Sequence, residues 1–299
     1  MPAKCRHLFY PMSDKNLVKA IKEKGKNLEA EMSFFGHLEA LRWHLMRAAL
    51  AVIVFSIVAF CNFDFIYKNI VEAPFHPDFW SYKLFCYLGT MFHIDGFCVN
   101  KINGEIVNNE MAGQFMLQLN SSMIIGVILA IPYILWEIWR FIKPALLDNE
   151  KKAARGFVFY ASMLFVTGIL FGYYILMPES VVFLASYTVS PNIKNMFTMS
   201  SYLSLISTVT LLTGIVFELP VVIYILSSIG IISAGFMRRT RRYAILIIMI
   251  IGAIISPSPD LLTTTLATIP LLLLYEVGIM VAAVVGKRKE QKHEELMKS

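Results

Sequence analysis

Residues 213–224, TGIVFELPVVIY, set a carboxylate, Glu218, and a proline, Pro220, inside a stretch otherwise fit for a lipid bilayer. An ionised acid near a bilayer centre costs about 3 kcal/mol on insertion scales. Proline inside a helix removes one backbone donor and frees a carbonyl. A segment that only anchors needs neither. If Glu218 faces a groove between helices, it makes a polar spot where another transmembrane segment can hydrogen-bond. If a neighbouring helix satisfies it, it is structural, and the sequence leaves both readings open. Glu137 lies three residues before Arg140, a helix-neighbour spacing that predicts a local ion pair. Glu276 sits deep enough in its apolar run to need a partner, structural or functional.

Two further acids, Glu39 in GHLEALRWHL and Glu150 in KPALLDNEKKAAR, fall on one face of the membrane. A pair of carboxylates there suits a diarginine ligand. Guanidinium groups make bidentate, charge-assisted bonds to carboxylates, and lysine does not reproduce that geometry.

The elements that must carry these residues follow from composition. Hydrophobic residues make up 57% of the 299 and charged ones only 16%, against about 25% charged in a soluble domain. Six apolar stretches stand out, at 44–62, 115–142, 156–178, 202–232, 243–256 and 261–285. A helix needs about 20 residues to cross the hydrocarbon, and the fifth stretch is shorter. Of the 27 lysines and arginines, all but Lys68, Lys83, Lys101 and Lys194 fall on one side, which marks that side as cytoplasmic. The predicted fold is all-α: a polytopic membrane protein with six transmembrane helices, both termini cytoplasmic, and the fifth and sixth helices short. Residues 1–32 form a basic cytoplasmic extension, 33–286 the membrane domain with an extracytoplasmic loop over about 63–114, and 287–299 a charged cytoplasmic tail. Residues 1–31 hold no apolar core of signal-peptide length.

Net charge is +6, but the basic residues sit in short clusters between apolar runs, which argues for membrane topology and against nucleic acid. No phosphate-binding loop, H-E-x-x-H or C-x-x-C motif occurs, and the histidines never pair at metal-ligand spacing. Neither enzymatic chemistry, a cofactor nor a metal is expected. Cys86 and Cys98 share the extracytoplasmic loop, where either a disulfide or two reduced thiols under the loop would fit. Gly168 and Gly172 form a small-xxx-small face, and Pro132, Pro144, Pro178, Pro220 and Pro270 predict bent helices.

Over residues 33–286 the chain resembles the TatC family, the polytopic subunit of the twin-arginine protein translocase. HLEALRWHL is similar to the family's H-L-x-E-L-R motif, and Ala73–Phe75 to its first extracytoplasmic loop. FIKPALLDNEKK matches its first cytoplasmic loop; FELP, SPSPD and IPLLLLYEVG follow in family order. The resemblance implies a receptor in the bacterial plasma (inner) membrane that binds the Arg-Arg signal peptide of folded cargo. It also implies that the receptor organises single-span partners of the TatA/TatB type, self-associates, and uses the protonmotive force. By position it assigns Glu150, Glu39, Phe141, Pro144 and Arg42 to signal-peptide binding and Glu218 and Pro220 to partner-helix contact. Asp260 and Pro74 take extracytoplasmic-side roles. The family's motif glutamate falls on Ala40 here, and the acid stands one place earlier, at Glu39, a rotation of about 100° on a helix. Lys151–Lys152 and Thr264 are smaller departures, standing where arginines and a glutamine are frequent. Two rival readings are a proton- or cation-coupled secondary transporter working through Glu218 and Glu276, and a passive membrane scaffold. No internal repeat supports the first, and the second leaves the cytoplasmic acids idle.

Overall fold

The first apolar stretch folds as helix α1 (Phe34–Cys61), free of proline and rich in leucine, alanine and valine. The computed structural model describes residues 34–92, 98, 105–142, 154–190, 192, 195–256 and 261–298. The chain divides into two units, Met1–Arg47 and Ala48–Ser299. In the first, the described part is the opening of α1, with Glu39 and Arg42 exposed.

The second unit holds the remaining elements. After α1 come a turn at Phe63–Ile66, a wide π-helical turn at Tyr67–Val71 and a 3-10 turn at Ala73–Phe75. Helix α2 (Trp80–Phe92) and strand β1 (Glu105–Val107) follow. Helix α3 (Gly113–Ile142) carries Pro132 within it. The third apolar stretch is α4 (Ala154–Phe171), a π-helical turn at Gly172–Leu176, and α5 (Met177–Ser186). Strand β2 (Met196–Thr198) pairs in parallel with β1, Ile106 opposite Phe197, so the described chain is not purely helical. Its strands are only three residues each, too short to leave a period in the sequence. Thr198 then caps α6 (Met199–Phe217), its hydroxyl accepting from the Ser201 N–H at 3.2 Å. Helix α7 (Leu219–Ile229) ends on Gly230 at φ +95°, a left-handed conformation that favours glycine. Short α8 (Ala234–Arg239), α9 (Arg241–Ile255) and α10 (Leu261–Lys298) complete the order.

Five helical segments among the described residues are long and apolar enough to cross a membrane: 38–61, 113–142, 158–186, 199–229 and 263–291. Helix α9, with 15 residues, reaches about 22 Å at 1.5 Å per residue. The expectation of a short sixth helix is corrected. Helix α10 runs unbroken for 38 residues, with Pro270 inside it and the charged segment from Lys287 to Lys298 as its last turns. KRKEQKHEELMK contains neither glycine nor proline and is made mostly of strong helix formers, so nothing stops the helix where the apolar run ends.

Small residues set the helix spacing. A side chain at Gly168 would fall 2.7 Å from Phe217 Cβ, and one at Gly214 2.8 Å from Ile169. Helices α4 and α6 therefore touch nearly backbone to backbone. At Gly126 an added carbon would meet the Ser56 backbone nitrogen at 2.6 Å, bringing α3 against α1. Hydroxyls within the helices turn back on the carbonyl four residues earlier, as Ser180 does to Leu176 at 2.7 Å and Ser207 to Leu203 at 2.6 Å, so few polar atoms face hydrocarbon. One core cluster joins Ala59, Leu117, Met177 and Tyr202; a second joins Val209, Phe217, Ile248 and Leu271.

Gly214→Leu should lower thermal stability of the detergent-purified protein by about 1–3 kcal/mol through overpacking. Gly235→Ala, where an added carbon meets nothing within 4 Å, should leave the unfolding curve in place. Equal curves for the two variants would show that α4 and α6 tolerate separation.

Candidate functional site

Glu218 occupies the single residue between α6 and α7, with Pro220 in the first turn of α7. Proline has no N–H to continue the α6 ladder and its ring crowds the preceding turn. The chain answers by closing α6 early, the Glu218 N–H donating to the Ile215 carbonyl at 3.1 Å. It then restarts, with the Val221 and Val222 N–H groups donating to the Glu218 carbonyl at 2.9 and 3.1 Å. The Gly168–Phe217 approach fixes the residue just before the break. Both carboxylate oxygens of Glu218 are buried, and neither has a hydrogen-bond partner among the described residues. The Thr210 hydroxyl, two helical turns earlier on α6, is buried in the same condition. Of the two readings open for Glu218, satisfaction by a neighbouring helix is not what the described residues provide.

Helix α6 also lines two cavities. One, of about 320 Å³, lies against α3 and includes Asn120, Ser204, Ser207 and Thr208. The other, of about 490 Å³, lies between α5, α6 and the end of α9 at Ile254 and Ile255. Ser204 and Thr208 line both. Helix α9 stops at Ile255, and the second cavity opens where it ends.

Two other acids of the membrane-spanning segments, Glu276 and Glu137, are paired. Glu276 forms an ion pair with Arg241 at the start of α9. Glu137 is buried, accepts from the Tyr133 hydroxyl at 2.9 Å and faces Arg140 at 3.6 Å, while Arg140 lies 5.0 Å over the Trp136 ring. Phe141 is half-buried near the end of α3. Pro144, Glu150 and Asp260 lie outside the described residues. Glu39 and Arg42 stand one turn apart on α1, both exposed. Among the described residues no group of three histidines, cysteines or acids is placed to hold a metal.

On the loop side, Pro74 is buried and its carbonyl accepts from Tyr82 Oη at 2.7 Å. Tyr173 and Tyr202 donate to the Ile70 and Val71 carbonyls at 2.8 and 2.9 Å. Phe79 stacks on Tyr174, ring centres 5.5 Å apart. Burial, with the Glu179 carboxylate adding to it, pushes the Tyr82 hydroxyl well above its usual range and keeps it a donor. Cys86 and Cys98 are joined by a disulfide. None of these tyrosines stands out from sequence; the only signal at Tyr173 and Tyr202 is a place near the ends of apolar runs, where aromatic residues are frequent anyway.

A sequence profile described as Sec-independent protein translocase protein (TatC) matches residues 36–270. The Sec-independent protein translocase protein TatC of Blattabacterium sp. subsp. Periplaneta americana is 39% identical, covering 88% of this chain and all of that protein. The protein of the same name from Carboxydothermus hydrogenoformans is 34% identical over 87% and 96% of the two chains. Among solved structures, one described as the twin-arginine translocase receptor TatC superposes with a TM-score of 0.62 at 29% identity. It covers 84% of this chain and 99% of that one.

Because Glu218 has no hydrogen-bond partner among the described residues, removing its charge should not weaken the fold. Glu218→Gln and Glu218→Leu should unfold at or above the temperature of the parent, since an unpaired buried carboxylate costs stability. Glu276→Gln should unfold below it. A marked drop in thermal midpoint for both Glu218 variants would make Glu218 a structural residue.

Proposed function

The chain belongs to the TatC family of Sec-independent protein translocase components, and from that membership we propose that it is the family's receptor for twin-arginine signal peptides. It is a multi-pass inner-membrane protein that works within a Tat complex. In this reading it binds the Arg-Arg segment of folded cargo at its cytoplasmic face. It gathers TatA/TatB-type single-span subunits at the α6–α7 break, and export is driven by the protonmotive force.

The topology proposed is six crossings, with α9 as the short fifth and both termini cytoplasmic; the clustering of basic residues supports it. A bilayer meeting α9 thins locally, at a fraction of a kcal/mol per ångström of mismatch, beside the cavity at its end.

The observation that carries the partner-binding part is the buried, unpartnered carboxylate of Glu218 inside a membrane-spanning segment. A polar side chain kept at such a depth without an internal partner is costly. A partner helix offering a hydroxyl or amide would remove that cost by hydrogen-bonding. Glu276, the second acid that a transporter would need, is in an ion pair with Arg241. The signal-peptide part rests on the family motifs that contain Glu39 and Arg42 and, separately, Phe141, Pro144 and Glu150.

Two measurements test these parts separately. A labelled signal peptide should bind the purified protein with Arg-Arg and lose affinity with Lys-Lys. Glu150→Ala should weaken it by about tenfold, as expected for a lost charged hydrogen bond, and Glu39→Ala by less, because its register is rotated. Equal losses from both would place Glu39 in the site on a par with Glu150, and indifference to Lys-Lys would remove the receptor reading. In co-purification from membranes, Glu218→Ala should release the single-span subunits while peptide binding persists, and Glu218→Gln should retain more of them.

A further inference from the structure

The end of α7, helix α8 and residues 282–290 of α10 line an open cavity of about 390 Å³ that shares no residue with the two beside α6. Its wall carries three cations, Arg238, Lys287 and Lys289, and one acid, Glu290. Lys289 is already engaged, its Nζ donating to the Ser227 carbonyl at 3.1 Å and to that of Ser228, where α7 ends. That leaves Arg238 and Lys287, both exposed and neither in an ion pair with any described residue. Gly286 lines the cavity, and a carbon added there meets nothing within 4 Å. Flanking these residues in the chain are exposed apolar side chains, Ile229, Ile231, Phe236 and Val284. Cations bordering exposed hydrocarbon mark the level where acyl chains meet headgroups.

We infer that this cavity binds the headgroup of one anionic phospholipid of the cytoplasmic leaflet. The guanidinium of Arg238 and the ammonium of Lys287 take the phosphate, and the acyl chains lie along Ile231 and Val284. The ligand is an anion because two uncompensated cations line the cavity against one carboxylate. It is a phosphate because the fork of an arginine beside a lysine matches its oxygens. It is a lipid, not free phosphate, because the adjoining surface is apolar. Glu290 accepts a hydrogen bond from a headgroup hydroxyl, which favours phosphatidylglycerol over a headgroup without one. The cytoplasmic placement rests on the topology proposed above, whereas the binding itself does not depend on the receptor role.

The test uses the full chain in phosphatidylcholine nanodiscs doped with phosphatidylglycerol, with retained lipid counted by native mass spectrometry. The parent should keep one phosphatidylglycerol. Arg238→Gln and Lys287→Gln should each lower its retention by about fivefold, the effect of one basic residue at an anionic surface. Arg242→Gln, which removes the same charge outside the cavity, should change nothing. Gly286→Leu, which fills the cavity without altering charge, should abolish retention with thermal unfolding unchanged; if that variant does not fold, the charge variants decide. Equal losses at Arg238, Lys287 and Arg242 would mean diffuse attraction and overturn the site. Displacement of the lipid by millimolar inorganic phosphate would overturn the lipid assignment.

Discussion

Hydrocarbon supplies no hydrogen bonds, so each place where the helical ladder stops must find its donors and acceptors within the protein. Much of this structure answers that requirement. Where the chain leaves α1, tyrosine hydroxyls from α2, the π-helical turn and α6 cover the carbonyls of residues 70, 71 and 74. Where α7 stops, the ammonium of Lys289 covers the last carbonyls and meets the negative end of the helix dipole. Thr198 and Ser233 cap the starts of α6 and α8. At the α6–α7 break the Glu218 N–H and carbonyl are both hydrogen-bonded, while its carboxylate oxygens have no hydrogen-bond partner among the described residues.

Close approach at glycine holds that break in place. Gly168 and Gly214 let α4 and α6 meet almost backbone to backbone, so Phe217 is clamped and the break cannot slide along the chain. A loosely packed α6 would rotate its carboxylate toward the nearest hydroxyl. Packed as it is, the helix holds Glu218 at one place along the chain. The same economy of side-chain volume keeps α3 against α1 at Gly126 and α10 against α7 at Gly278.

Much of this is legible in the chain. The apolar runs mark the long helices, the spacing of Glu137 and Arg140 marks their ion pair, and Pro220 marks the break. These features are local, set by residues within one or two turns of each other. The pairing of Arg241 with Glu276 spans 35 positions and depends on the register of α9 against α10, which no single stretch encodes. The tyrosine–carbonyl links span 103 and 131 positions and are hidden for the same reason. At residues 287–298 the apolar pattern ends, while helix propensity carries α10 onward. The parallel pairing of β1 with β2 joins loops that neither sequence marks.

Those long-range tyrosine links also impose a schedule on biogenesis. The carbonyls at positions 70 and 71 leave the ribosome early, whereas the hydroxyls that cover them arrive with Tyr173 and Tyr202. During synthesis the first hairpin therefore waits, its turn open to water, until more than half the polypeptide has been inserted. Contacts of such sequence separation form late and slowly, and partly built intermediates are the ones exposed to misassembly. The disulfide between Cys86 and Cys98 closes a short local loop, so it can hold the neighbouring segment in shape during that interval. Quality-control proteases would meet an unfinished cap in any chain truncated before α6, and a protected one in any chain that reaches it.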